Sequence, residues 1–105
     1  MVDERRRQDR VRIPLEARWK GLSGRHEARI YDLSLSGCYI ESTGQVAIHE
    51  LVQFEIQSLS GRWLPLQGEV MHFQPSFGFA VRFTDLSEAQ QSSLDALLEY
   101  ARMRI

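Results

Sequence analysis

The chain has 105 residues, 43% of them hydrophobic and 26% charged, and a formal net charge of −1. That suits one domain with a single core, and a pI near 6.3 lacks the basic excess of a protein that coats duplex nucleic acid. No apolar run nears the roughly 20 residues of a bilayer span, no signal-peptide pattern opens the chain, and the lone Cys38 excludes an internal disulfide, so a cytoplasmic protein without membrane contact is expected.

Charge is uneven only at the front. Residues 1–12 carry five arginines (Arg5, Arg6, Arg7, Arg10 and Arg12) against Asp3, Glu4 and Asp9, a local +2. A patch of that size suits a small anion better than a long polyanion. Nothing in residues 1–12 is expected to fill a core, so they read as a flexible arginine-rich arm.

Residues 13–19, IPLEARW, alternate strictly, with Ile13, Leu15, Ala17 and Trp19 on one side. Period two predicts a half-buried strand. GLSG at 21–24 predicts a turn, followed by a second strand from Arg25 to Leu33 and a short third from Cys38 to Glu41, ended by STGQ. Val52, Phe54 and Ile56 share one face of residues 51–59. Residues 62–73 predict a fifth strand. Pro65 and Gly68 inside it imply an edge position or a bulge there. Phe77, Phe79, Val81 and Phe83 alternate in a sixth.

The period then changes. Leu86, Leu94, Leu97, Leu98, Ala101 and Ile105 recur at helical spacing. DLSE at 85–88 offers an acceptor side chain followed three residues on by a glutamate, a capping-box start. A helix over about 86–102 is predicted, its leucine stripe laid on an apolar surface such as one mouth of a barrel. Strands that hide only one face must curl or stack, so the fold is mainly β, a small antiparallel barrel or sandwich with a C-terminal helix. No internal repeat or linker interrupts it.

Enzyme chemistry finds no support. His26, His49 and His72 stand far apart with no metal-ligand spacing. They read as surface or strand-end histidines. Cys38 reads as a small buried hydrophobe. No nucleophile elbow or P-loop occurs. No catalytic residue, metal or cofactor is assigned.

Two patterns remain: Arg6-x-x-x-Arg10, flanked by Arg5 and Arg7, and DLSLSG at 32–37, with Asp32, Ser34 and Gly37. Each has a bland reading. The arginine spacing recurs at Arg25 and Arg29, as on a solvated face, and DLSLSG can be a tight Asx or Ser turn. In this order, with one motif before the first strand and the other after the second, they resemble the PilZ family of bacterial cyclic di-GMP receptors, and FGFAVRF at 77–83 resembles that family's last barrel strand. The family often has Gly-Gly where this chain has Ser36-Gly37.

The resemblance implies a six-stranded antiparallel split barrel over 13–105 with its C-terminal helix. It implies cyclic di-GMP as ligand, held by Arg5, Arg6, Arg10, Asp32, Ser34 and Gly37, with Arg7, Met71 and His72 as candidates to flank the bases and Phe73 beside them. Residue chemistry suits that ligand. A guanidinium fork matches guanine O6 and N7, a carboxylate accepts from N1–H and N2–H₂, and arginine takes phosphate oxygens. Ser34 can bond the base or brace the turn. Gly37 allows close backbone approach or positive φ. The arm is expected to close over the ligand, and the altered surface to signal to a separate output protein whose identity the sequence does not give. An arginine at position 5 leans toward two ligands per chain, and a homodimer stays open. DNA and RNA are not expected as partners. The alternative is a ligand-free interaction module of the same fold.

Overall fold

The computed structural model describes residues 9–103. Six strands and a helix follow in order: β1 (Val11–Gly21), β2 (Gly24–Leu33), β3 (Gly37–Glu41), β4 (Leu51–Gln57), β5 (Trp63–Gln74), β6 (Gly78–Phe83) and α1 (Glu88–Met103). All strand pairs are antiparallel, and the strands close into a barrel in the order β1-β2-β3-β6-β5-β4. Two local meanders, β1-β2-β3 and β4-β5-β6, are thus joined along two seams, β3 against β6 and β4 against β1.

Period-two patterning produces the interior. β1 alternates buried and exposed from Val11 to Lys20. With Ile30, Leu33, Cys38, Ile40, Val52, Phe54, Ile56, Val70, Phe79 and Val81, it fills the barrel. The alternation reaches further back than expected. Val11 is buried and Arg12 already lies in β1, so the last two residues of the expected arm belong to the barrel. Residues 1–8, with Arg5, Arg6 and Arg7, lie outside the described residues.

Two expectations shift. Phe77 does not join the inward face of β6: it sits in the turn before Gly78 and is 73% exposed. Gly68 makes no bulge. It lies inside the barrel, where a Cβ would come within 3.3 Å of Phe54, and the bulge of β5 falls between Val70 and His72. Pro65 does lie where β5 has one neighbour, since pairing with β6 starts only at Gly68. Its carbonyl instead accepts from Gln90 Nε2 at 2.8 Å, so the start of the helix covers the open edge that proline tolerates.

The helix cap also moves. Ser87, not Asp85, is the N-cap. Gln90 N donates to Ser87 Oγ at 3.1 Å and Ser87 N donates to Gln90 Oε1 at 2.7 Å, a reciprocal capping box two residues later than expected. Asp85 has φ 53° and turns the chain into the cap. Leu94, Leu97, Leu98 and Ala101 are buried, and the helix packs against β1 and β5.

Candidate functional site

Strict alternation would aim Asp32 into the barrel, because Ile30 two residues earlier points inward. A bulge prevents this. Across β2 and β3, Ile30 pairs with Ile40 but Asp32 pairs with Tyr39, so Tyr31 is an extra residue. Tyr31 and Asp32 both face outward, and Leu33 returns to the core. Bulges commonly re-aim a side chain in this way beside functional sites. The same device recurs on β5, where Val70 pairs with Val81 and His72 with Ala80, leaving Met71 extra. His72 therefore faces out, while Phe73 packs against the core.

The two bulges line up one transverse row on the outer wall. Arg12 is opposite Asp32, Asp32 opposite Tyr39, Tyr39 opposite Ala80, and Ala80 opposite His72. The row crosses five strands. The small Ala80 leaves a notch between Tyr39 and His72. Tyr31 and Tyr39 meet edge to face at 6.0 Å, the Tyr39 hydroxyl is bonded to Gln74 Oε1 at 2.5 Å, and the Arg12 guanidinium lies over the Tyr31 ring, 4.1 Å from its centre. Burial raises the Tyr39 phenol above its ordinary pKa, with the Glu41 and Asp32 carboxylates adding to the effect.

At one end of the row Arg10 Nη1 donates to Asp32 Oδ1 at 2.7 Å. The adjoining DLSLSG corner is a serine-braced turn. Ser34 N donates to the Gly37 carbonyl at 2.9 Å. Ser34 Oγ donates to that carbonyl at 3.1 Å and accepts from the Ser36 and Gly37 amides, both at 3.2 Å. Ser34 is 1% exposed. Of the two roles open to it, bracing the turn is the one its contacts occupy. Gly37 is required by close approach rather than by positive φ, for a Cβ there would stand 2.1 Å from the Val81 carbonyl oxygen across the β3–β6 seam.

Of the expected site residues, Arg10, Asp32, Ser34 and Gly37 gather at this corner, while His72 and Met71 lie at the far end of the row. Arg12, Tyr31, Tyr39 and Ala80 were missed. Their signal was the broken spacing of inward residues: Ile30 and Leu33, like Val70 and Phe73, stand three apart where a regular strand has two.

Beneath the row Cys38 is buried, and burial pushes its thiol pKa far up, with the Asp32 carboxylate adding and Arg10 opposing. Beside the row, Glu69 accepts from His49 Nδ1 and from Arg82 Nη2, each at 2.7 Å. These bonds, that of His49 first, hold its carboxyl below the usual range. Among the described residues no group of three His, Cys, Asp or Glu side chains could hold a metal ion, and no helix is long and apolar enough to cross a membrane.

Comparison with known proteins supports the fold. The PilZ domain model matches residues 4–100. The PilZ domain of CeSA from a cellulose-synthesizing bacterium superposes with a TM-score of 0.70 at 15% identity, covering 89% of this chain and 98% of that one. The PilZ domain of Escherichia coli YcgR with c-di-GMP gives a TM-score of 0.74 at 18% identity, covering 95% and 96%. The Bacillus subtilis inhibitor of motility MotI gives a TM-score of 0.70 at 17% identity over 94% of this chain, which spans 50% of that protein. A sequence search of curated proteins gives no match. With the family model covering nearly its whole length, the chain belongs to the PilZ domain family.

Proposed function

We propose that this chain is a cyclic di-GMP receptor that grips the dinucleotide on the row from Arg10 to His72. The observation that carries this reading is the meeting of Arg10 and Asp32 on the outer wall, made possible by the bulge at Tyr31. The two bring opposite chemistries to one place. The carboxylate accepts from guanine N1–H and N2–H₂, which adenine cannot offer. The guanidinium donates to O6 and N7 or to phosphate. Ser34 and Gly37 hold the Asp32 corner in shape, and His72 and Met71 flank a base lying over Ala80. The c-di-GMP complexes of YcgR, a structural relative, favour the same ligand here.

Arg5, Arg6 and Arg7 complete the grip when residues 1–8 close over the bound ligand. Closure changes the surface beside the row, and a separate partner protein reads that change. Fixing each arm residue costs about 1–2 kcal/mol, so affinity is moderate for the number of contacts. Isothermal titration with cyclic di-GMP tests the reading. Binding should be micromolar or tighter and should be abolished or weakened at least about tenfold in Arg6→Ala, Arg10→Ala and Asp32→Ala. A folded wild-type protein that gives no heat rejects it.

A further inference from the structure

Arg12 lies outside the two sequence motifs, yet the barrel places it directly opposite Asp32 on the outer face, where the row begins. Its guanidinium carbon lies over the Tyr31 ring, 4.1 Å from the centre. Among the described residues Arg10, Arg18, Arg29, Arg82 and Arg102 each face a carboxylate. Arg12 faces none of the described carboxylates, and its contact is with the Tyr31 ring. Tyr31 is itself held edge to face by Tyr39. The result is a guanidinium carried on an aromatic platform beside the carboxylate.

Such a guanidinium suits a planar or multi-oxygen anion. Arg10 is already bonded to Asp32 and neutralises it, so Arg12 is the described cation next to that corner that faces no described carboxylate. Lysine could supply the charge but neither the planar group nor the paired donors. Building on the cyclic di-GMP reading, we propose that Arg12 is a further arginine contact of the site, donating to a phosphate of the dinucleotide, and that Tyr31 is a positioning residue acting through it. The bulge makes this arrangement, since the extra residue is Tyr31 itself. The bulge against β3 thus aims the guanine acceptor and supplies the shelf, and a second register shift between Arg12 and Leu15 sets Arg12 opposite Asp32.

A double-mutant cycle read by cyclic di-GMP titration tests the inference. Arg12→Ala should raise Kd about tenfold and Arg12→Lys about threefold or more, because charge alone restores only part of the contact. Tyr31→Leu should raise Kd roughly threefold in the wild-type background and leave it unchanged in Arg12→Ala, the signature of action through Arg12. Melting temperatures of all variants are recorded alongside. Arg12→Ala and Arg12→Lys proteins that melt lower but bind like wild type make the stack purely structural and overturn the inference. An undiminished Tyr31→Leu effect in the Arg12→Ala background overturns the positioning role. A wild-type chain that does not bind overturns the receptor reading itself, and is distinguished by failing before any variant is compared.

Discussion

Arg10 and Asp32, 22 residues apart in sequence, are joined by a single 2.7 Å charge-assisted hydrogen bond, with the Arg10 side chain 46% exposed and that of Asp32 17% exposed. A pair open to water on one side is worth roughly 0–1 kcal/mol. It is too weak to serve the fold and weak enough to be exchanged for a ligand. Asp32→Ala is therefore expected to shift the urea unfolding free energy by less than about 1 kcal/mol while removing nucleotide binding. A loss of several kcal/mol with binding intact would mark the pair as structural.

Gly37 gives the opposite profile. Any side chain there collides with the Val81 carbonyl, and a backbone atom cannot step aside as a flexible side chain can. Gly37→Ala should destabilise by about 1–3 kcal/mol or more, seen as a lower urea midpoint. An unchanged midpoint would mean the seam can widen without loss.

The Cys38 thiol is held neutral by burial first and by the Asp32 carboxylate second. In the native protein it should resist a disulfide-exchange reagent near pH 8 and react in one fast phase once urea unfolds the chain. The sign of the linkage follows. The folded value lies above the unfolded value of about 8.5, so this contribution is whole below that pH and fades as pH rises beyond it. Cys38→Ala should flatten the alkaline limb of the stability curve. Rapid labelling of the folded protein would contradict the burial.

Glu69 titrates in the other direction. Its bonds from His49 and Arg82 lower its pKa, so its contribution is complete above the ordinary glutamate value of about 4.3 and is lost as pH falls through the lowered one. Glu69→Gln should remove part of the acid limb of a stability-against-pH profile and leave the alkaline limb unaltered. Parallel acid limbs in the two proteins would show that the triad is not coupled to folding.

Much of this molecule can be read from residue order. Alternation in β1, β4 and β6 reports which side chains face the core, and the leucine spacing reports the helix, because burial on one face leaves a periodic trace. The corner was legible as DLSLSG, since Ser34 braces a local turn, although the need for Gly37 comes from Val81 across the β3–β6 seam. The register was not legible. Whether Asp32 points in or out depends on one extra residue in β2 relative to β3, a property of two strands together. His72 depends in the same way on Met71. The capping box shows the same limit at short range: Asp85-x-x-Glu88 and Ser87-x-x-Gln90 both satisfy the pattern. Ser87 prevails because Gln90 from that frame also reaches the Pro65 carbonyl, a long-range contact that the local motif does not contain.

The β3–β6 seam joins residues some 40 positions apart, such as Gly37 with Arg82 and Cys38 with Val81, whereas the hairpins within each meander form between near neighbours. Closing it is the late, entropically costly act of folding. The transverse row steps over that closure between Tyr39 and Ala80. A guest molecule spanning the row would act as a buckle on the two halves of the chain. Its presence should register mainly as slower opening of the native barrel, with the speed of assembly little changed.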